Sequence, residues 1–370
     1  AHPEWFTDDV IPQNYGGEEY WDPQGRWQGC VISAYGIVYN RDALRRLGVA
    51  AEPRQWSDLA DPRLIGEVAL CDPLKSGSIA AAFENVIQQQ MQLRLRALRA
   101  AHPGADVEAQ AVSEGWLEGL KLVQLIGANA RYFTDTSQKP PIDVAAGNCA
   151  AGLCIDFYGR QQEEAVRRRD GSGRLGYVSP DGGSTSSVDP IALLRGARHA
   201  DVARAFITYV LSMDGQKLWN FKPGTPGGPA RFALRRLPVR KDFYTHTEWS
   251  AFRSDPEADP FSQTEQLVYH PAWTGGIFHD MAFIITVMCQ DTHSELTAAW
   301  RAVLAAPEPA RSQALAALQD LSMVEYERVK GPIHRALGSR DAVDQVRLRS
   351  ELGAAFRRNY ARAEAIARGQ

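Results

Sequence analysis

The segment Asp72-Pro-Leu-Lys-Ser-Gly-Ser78 carries the sharpest local pattern of chemically useful residues in the chain. It follows an apolar, strand-like segment and precedes a long stretch of helical spacing, so it is predicted to join a strand to a helix. Ser76 and Ser78 supply hydroxyl groups, and Gly77 allows the backbone to approach a ligand closely. The start of a helix adds free N–H groups and the positive end of its dipole. This pattern predicts an anion site; the alternative is that Ser76 or Ser78 only caps the helix.

Two further segments carry polar groups that could serve the same ligand. Thr134-Asp-Thr-Ser-Gln138 precedes another predicted helix, and the hydroxyls of Thr136 and Ser137 could donate to an anion, although such residues are also ordinary N-caps. Ile155-Asp-Phe-Tyr-Gly-Arg160 ends a predicted strand, and strand ends in open α/β sheets face the ligand crevice. The Tyr158 phenol could donate a hydrogen bond or, when ionised, coordinate a hard metal. The Arg160 guanidinium could bind a carboxylate or phosphate. The alternative for this pair is a buried aromatic ring and a surface arginine.

Catalytic signatures are absent from the sequence. The eight histidines are scattered without metal-ligand spacing, and no GxSxG, P-loop or GxGxxG pattern occurs. The cysteines form no CxxC pair, so a structural zinc site is not indicated. We expect all five to be buried free thiols. The alternative is a disulfide between Cys149 and Cys154, which would require the chain to double back between them. The five are Cys30, Cys71, Cys149, Cys154 and Cys289.

The bulk composition is that of a globular protein of two or three domains. The chain has 370 residues, of which 44% are hydrophobic and 23% charged, and its net charge is −3. This balance argues against a nucleic-acid partner, which would require a basic excess. No apolar run approaches the roughly 20 residues of a membrane span, so no transmembrane segment is predicted and residues 281–289 are expected in a core. The chain opens with Ala-His-Pro-Glu and shows no leader; because a signal peptide could have been removed, this absence does not decide the compartment.

Strand-like and helical segments alternate through the middle of the chain, which predicts an α/β domain with a partly parallel sheet. The C-terminal region is predicted to be helical and is dense in arginine; interleaved acidic residues favour a solvated helix face over an anionic partner there. Strands are predicted at 30–39 (one or two), 67–71, 150–157 and 176–179, and helices at 40–48, 79–100, 113–126, 137–146, 294–304, 309–337 and 341–367.

Several segments in order resemble a known family, the extracellular solute-binding proteins of bacterial ABC importers of the ferric-iron, thiamine and phosphonate type. The series covers about residues 20–300, and no single motif in it is specific by itself. The segments that carry the resemblance are, in chain order, Ser33-Ala-Tyr-Gly-Ile-Val-Tyr-Asn40, Trp56-Ser-Asp-Leu-Ala-Asp-Pro62, Gly66-Glu-Val-Ala-Leu-Cys-Asp-Pro73 with the following Ser-Gly-Ser78, Val144-Ala-Ala-Gly147, Ile155-Asp-Phe-Tyr158, Val188-Asp-Pro-Ile-Ala-Leu-Leu194, and 206–219 with its Gly215-Gln-Lys-Leu-Trp219.

The resemblance implies a type II periplasmic-binding fold of the α/β class, with two lobes joined by hinge strands near 33–39 and 178–189. Residues 40–177 would form the second, anion-binding lobe. Residues 1–39 and 178–370 would form a discontinuous, helix-rich first lobe. That family usually begins with a further strand–helix portion, so the first lobe is expected to lack this part.

The function implied by the resemblance is that of the substrate-binding component of an ABC importer, monomeric, periplasmic or extracellular, and not an enzyme. It would use no cofactor and would deliver to an ABC permease in the inner membrane. Its ligand would be a small anionic solute, or a ferric ion with an accompanying anion. Iron-binding members often have adjacent tyrosines where this chain has Phe157 and Tyr158, so Tyr158 alone is the candidate metal ligand and the ferric interpretation is weakened. The alternatives are an enzyme on the same fold that acts on an anionic or phosphorylated compound, and a sensory or structural partner.

Overall fold

The computed structural model describes residues 2–262 and 266–370, and the chain divides into two compact units. Unit 1 comprises Ala1–Ala34 and Ser184–His270, and unit 2 comprises Tyr35–Gly183 and Pro271–Gln370. The strands are β1 (Asn14–Tyr15), β2 (Glu18–Glu19), β3 (Gln28–Ser33), β4 (Tyr35–Asn40), β5 (Val68–Cys71), β6 (Ala130–Thr134), β7 (Ala151–Ile155), β8 (Leu175–Val178), β9 (Ser187–Ile191) and β10 (Leu237–Pro238).

The helices are numbered in chain order, as the strands are. They are α1 (Arg41–Arg46), α2 (Gly77–Ala101), α3 (Glu108–Ala128), α4 (Lys139–Ala146), α5 (Asp156–Asp170), α6 (Ala200–Leu211), α7 (Met213–Asn220), α8 (Pro271–Thr274), α9 (Phe278–Ile285), α10 (His293–Ala305), α11 (Ala310–Leu318), α12 (Tyr326–Arg328), α13 (His334–Leu337) and α14 (Ala342–Ala367). The alternation of strands and helices confirms the predicted α/β class.

Unit 2 is built on a five-stranded sheet of order β6-β5-β7-β4-β8. Strand β5 runs parallel to both β6 and β7, whereas β4 is antiparallel to β7 and β8. Every residue of β5 is buried, as expected of a parallel strand that is covered on both faces. The carboxyl ends of β5, β6 and β7 therefore meet at one edge of the sheet.

Helices α2 and α3 of unit 2 confirm the predicted periodicity and extend it. The segment predicted at 79–100 is helical over Gly77–Ala101, and the one predicted at 113–126 over Glu108–Ala128. On α2 the apolar positions Ile79, Phe83 and Val86 are buried at helical spacing. These helices pack together over the sheet and hold the loops at its edge.

The C-terminal region differs from the predicted domain assignment, which placed all of 178–370 in the first lobe. Residues 271–370 belong to unit 2, because the C-terminal helices bury their apolar faces against α3. Trp116 of α3 donates from Nε1 to the Val324 carbonyl at 2.8 Å, and Gln124 donates from Nε2 to the Tyr360 hydroxyl at 3.2 Å. Periodicity shows that a helix has an apolar face, but not which core covers it.

The predicted helical stretch at 309–337 is interrupted in the structure. Helix α11 ends at Leu318, and Asp320 then accepts hydrogen bonds from the Ser322 backbone N–H and hydroxyl at 3.2 and 2.8 Å. An Asp side chain that bonds locally competes with helix continuation. The chain becomes helical again at α12 and passes through a π-helical turn at Val329–Ile333 that contains Pro332.

The apolar segment Pro271–Gln290 is long and apolar enough to cross a membrane by length and composition alone. In unit 2, however, 72% of its most apolar window is buried inside the protein. Its residues Met281, Ile284 and Met288 are each fully buried in the main core cluster. The expectation that residues 281–289 form core is confirmed.

Unit 1 has a three-stranded antiparallel sheet of order β10-β3-β9 and a small β1–β2 hairpin. Helix α6 buries Val210 and Leu211 but leaves Val202, Phe206 and Tyr209 exposed by 61%, 60% and 48%. These three residues lie at helical spacing, so one apolar face of α6 is uncovered in this chain.

All five cysteines are buried and free. The expectation of buried thiols is confirmed, and the alternative disulfide between Cys149 and Cys154 is wrong. Both of these thiols belong to the small core that packs against one face of the unit 2 sheet.

Candidate functional site

The three predicted ligand segments come together at the carboxyl edge of the unit 2 sheet. The Asp72 backbone N–H donates to the Thr134 carbonyl at 2.8 Å, which joins the loop after β5 to the end of β6. Gln138 then donates from Nε2 to the Tyr158 hydroxyl at 2.8 Å, which joins the loop after β6 to the first turn of α5. This edge is where open α/β sheets bind ligands.

The loop after β5 is fixed by the buried Asp72 side chain. Its Oδ1 accepts hydrogen bonds from the Leu74 backbone N–H at 2.9 Å and from the Thr286 hydroxyl at 3.0 Å. Its carbonyl accepts from the Ser76 backbone N–H at 3.2 Å. Because these bonds hold the loop on both sides, the start of α2 has a defined position before any ligand arrives.

Ser76 is the N-cap of α2, as the capping alternative proposed. Its Oγ accepts from the Ile79 backbone N–H at 3.4 Å, and it lies 3.1 Å from the Ser78 Oγ. Capping uses only one lone pair of this hydroxyl, and a serine hydroxyl can still donate its proton. Capping and ligand binding are therefore compatible in this arrangement.

The amides of Gly77 and Ser78 are available donors at the same helix start. Neither N–H has an acceptor within residues 2–262 and 266–370. Gly77 is exposed, and a Cβ placed there would meet no atom within 4 Å. Open space in front of two free amides at the positive end of a 25-residue helix suits an anion.

Lys75 is a candidate ligand that the sequence analysis did not select. It is exposed and immediately precedes the Ser76 cap, and its ammonium has no ion-pair partner among the described residues. The signal was present in the sequence, because Lys75 is the cation of the Asp72–Ser78 segment. Its charge would attract an anion toward the helix start.

The helix start at α4 differs from the predicted second donor site. Gln138, not Ser137, is the N-cap, and it makes no side-chain capping bond. Pro140 and Pro141 follow in the first turn, and proline has no backbone N–H to donate. The helix start therefore offers few amides, and the hydroxyls of Thr136 and Ser137 remain as its candidate donors.

Tyr158 lies in the first turn of α5 rather than on a strand, because the helix begins directly at Asp156. Its ring packs against Phe157 at a centroid distance of 4.2 Å, and its hydroxyl accepts from Gln138. A phenol that accepts one hydrogen bond can still donate another to a ligand.

Arg160 is held on the helix by the buried Asp156. Its Nη2 lies 2.7 Å from Asp156 Oδ2, and its guanidinium stacks 5.9 Å from the Tyr177 ring centroid. The arginine side chain is 14% exposed. Since its charge is already balanced by a carboxylate, Arg160 is a weaker candidate anion ligand than Lys75.

The titratable groups near this edge are not arranged as a metal site. Among the described residues no group of three or more His, Cys, Asp or Glu side chains lies close enough together to hold a metal ion. Cys71 ends β5, and its burial raises the pKa of the thiol to about 11, so it stays neutral at pH 7. The edge supplies hydroxyls, amides and one ammonium, which are donors for an anion.

The family model for bacterial extracellular solute-binding proteins matches residues 7–241 of this chain. The chain belongs to this family. Family membership confirms the predicted class, a binding protein of the type II periplasmic kind, and implies a periplasmic or extracellular location. Members of the family are solute-binding proteins.

Each of two curated relatives matches 50% of this chain. An uncharacterized protein of Haemophilus influenzae is 27% identical over 183 residues, which cover 50% of this chain and 44% of that protein. The phosphoglycerate transport regulatory protein PgtC of Salmonella typhimurium is 26% identical over 189 residues, covering 50% of this chain and 39% of PgtC. The chain thus matches less than half the length of these relatives.

Solved structures of similar proteins include periplasmic binding proteins. AfuA from Actinobacillus pleuropneumoniae, with bound fructose-6-phosphate, is 19% identical with a TM-score of 0.44 and covers 66% of this chain and 73% of its own. Iron-bound HitA from Pseudomonas aeruginosa is 17% identical with a TM-score of 0.45 and covers 75% of this chain and 76% of its own.

Proposed function

We propose that the chain is the substrate-binding component of an ABC importer and that its solute is a small organic anion, with a phosphorylated organic acid as the first candidate. The observation that carries this proposal is the start of α2, where the hydroxyls of Ser76 and Ser78 lie 3.1 Å apart beside the free amides of Gly77 and Ser78, and the exposed Lys75 directly precedes them in the chain. A phosphate group has several acceptor oxygens and matches such a set of donors. The relative PgtC, named for phosphoglycerate transport, supports the choice.

The proposed binding mode places the anion in front of α2. Ser76, Gly77 and Ser78 would bind it through hydroxyl and backbone donors. Thr136 and Ser137 would add hydroxyls from the neighbouring loop, and Tyr158 would contact the organic part of the ligand. Delivery to a membrane permease follows from this function and stays a prediction, as does the role of Arg160.

The direct test is isothermal titration of the purified chain with 3-phosphoglycerate, inorganic phosphate, citrate and ferric citrate. We expect the Ser76→Ala plus Ser78→Ala variant to bind the organic anion at least tenfold more weakly, about 1.4 kcal/mol. Ser212→Ala is the matched control, because Ser212 caps α7 in unit 1 through Gly215 and is not part of the edge. Unchanged affinity in the double variant contradicts the proposed site.

The same titration distinguishes the other interpretations. Ferric citrate binding that requires Tyr158, with no binding of citrate or phosphoglycerate, would replace the organic anion with iron as the cargo. If phosphorus NMR showed that the added phosphoglycerate is converted to a product, the chain would be an enzyme. No thermal shift with any of these compounds, together with no ligand released from the purified protein in mass spectrometry, would favour a sensory or structural role.

Lys75 provides a second, independent test of the anion. We expect Lys75→Met to weaken binding several-fold at low salt and to reduce the dependence of affinity on ionic strength, since it removes a charge without removing a hydrogen-bonded cap. The measurement is the dissociation constant of the organic anion at low and at physiological salt. Equal salt dependence in wild type and variant would exclude Lys75 from the site.

A further inference from the structure

A groove of about 670 Å³ lies among the C-terminal helices of unit 2. One wall is a face of α14, and the other is the segment from α12 to α13 with the residues that flank it. None of the residues that line this groove belongs to the candidate solute site. The groove therefore needs an explanation of its own.

Unpaired positive charge surrounds the groove. Arg328, Arg335 and Arg358 line it, and none of them has an acidic partner within 4.0 Å among residues 2–262 and 266–370. Arg347, the fourth arginine at the groove, lies 3.5 Å from Asp344. Glu351 is the other carboxylate in the lining, so arginines exceed acids there four to two.

Some other arginines of α14, in contrast, have acidic partners. Arg349 pairs with Asp291 at 2.7 Å, and Arg357 pairs with Glu295 at 2.8 Å. Arg368, the C-cap residue that follows α14, pairs with Glu364 at 2.5 Å. Arg362 of α14 also lacks an acidic partner among the described residues, so what distinguishes the groove is that three unpaired arginines surround one cavity.

The floor of the groove is apolar and elongated. Ile333 and Leu352 lie at its base but are only 3% and 6% exposed, so the accessible apolar surface comes from the partly buried Met323 and Leu348 and the exposed Pro332. The lining residues of α14 extend from Asp344 to Arg358, which is roughly 20 Å along a helix at 1.5 Å per residue. A compact anion would not use this length, whereas a helical segment of about four turns would.

We propose that this groove binds an acidic amphipathic segment of a partner protein. Apolar side chains of the segment would lie on the floor formed by Leu348, Met323 and Pro332. Its carboxylates would pair with Arg328, Arg335 and Arg358 on the rim. Burial of this apolar surface and pairing with the arginines would both contribute to the affinity, and the arginines would select an acidic partner over a neutral one.

The test uses the full chain and a synthetic 16-residue helical peptide with leucine at i, i+3, i+4 and i+7 and glutamate on the adjoining positions. Fluorescence anisotropy of the labelled peptide measures the dissociation constant. We expect Arg335→Glu plus Arg358→Glu to weaken binding by about tenfold or more, since reversal replaces attraction with repulsion. Leu348→Ala should weaken binding without changing its salt dependence.

Arg362→Glu is the matched control, because Arg362 is exposed on the same helix, has no ion-pair partner in the described chain and lies outside the groove. It should leave peptide affinity within twofold of wild type, and thermal unfolding should show that every variant is folded. No binding up to about 1 mM peptide overturns the proposal. So does equal binding of a scrambled peptide of the same composition, or full competition by citrate, which would indicate a small-anion site. None of these outcomes bears on the solute site, whose residues are different.

Discussion

At the scale of single residues, the candidate solute site depends on backbone amides as much as on side chains. Ser76 completes the start of α2, but the donors that remain available are the N–H groups of Gly77 and Ser78. Gly77 is required neither by a positive φ nor by a close neighbour, because a Cβ there would meet nothing within 4 Å. We infer that the open space at this position leaves room for a ligand.

Gly77→Ala separates ligand binding from stability. Alanine is a better helix former than glycine, so we expect the free energy of unfolding to stay the same or to rise by up to about 1 kcal/mol. Affinity for the organic anion should fall several-fold, because the methyl group occupies the space in front of the amides. Urea unfolding and isothermal titration measure the two quantities. An alanine variant that binds as tightly as wild type would show that the ligand does not approach this backbone.

At the scale of elements, the packing of α2 against α3 positions the candidate solute site. Gly115 and Gly119 of α3 lie one turn apart and face Met91 and Ile87 of α2. A Cβ on Gly119 would come within 2.7 Å of the Ile87 Cα, and one on Gly115 within 2.4 Å of the Met91 Cα. The two helices approach each other closely because these positions carry no side chain.

Gly119→Ala should therefore destabilise the protein, although alanine favours a helix more than glycine does. We expect a loss of about 1–3 kcal/mol in the free energy of unfolding, because the methyl group forces the backbones apart. Urea unfolding followed by circular dichroism measures it. Gly77→Ala is the matched control for the intrinsic helix preference, since it makes the same substitution where no neighbour is displaced. If both variants were equally stable, the close approach of α2 and α3 would not constrain the fold.

At the scale of the whole molecule, the C-terminal hundred residues are an integral part of unit 2. His293, at the start of α10, lies 3.0 Å from the Ala130 carbonyl of β6 through its Nε2. Its ring also meets Phe133 edge-on at a centroid distance of 5.5 Å. These contacts tie a C-terminal helix to an edge strand of the sheet that carries the candidate solute site.

This contact makes stability depend on pH. Burial lowers the pKa of His293 below its ordinary value, partly opposed by hydrogen bonds to backbone carbonyls. The unfolded chain therefore takes up a proton at a higher pH than the folded protein does, so the contribution of His293 is full above the unfolded pKa and is lost as pH falls toward the folded pKa. We expect the free energy of unfolding to decrease from about pH 7 to about pH 5.

His293→Asn should flatten this pH dependence, whereas His102→Gln, at an exposed position after α2, should leave it unchanged. Urea unfolding at a series of pH values measures the slope. A slope in His293→Asn equal to that of wild type would assign the pH dependence to other groups.

Much of the candidate site was predictable from the sequence because its signals are local. A serine–glycine–serine segment between an apolar strand and a helical repeat determines a capped helix start through short-range hydrogen bonds and dihedral preferences. The prolines that follow Lys139 were equally visible, and they explain why the start of α4 offers few amides. Lys75 stood in the same segment, but its importance depends on being exposed and unpaired, which only the folded chain decides.

The sequence by itself determined the α/β class, the family, the long helices α2 and α3 and the meeting of three ligand segments at strand ends. Periodicity and capping act over a few residues, and the order of motifs needs no coordinates. Only the tertiary structure decided that 271–370 pack with unit 2, that Arg160 is neutralised by Asp156, and that three arginines without acidic partners in the described chain surround one groove. These features depend on which faces are buried against one another across large separations in the chain, and no local pattern contains that information.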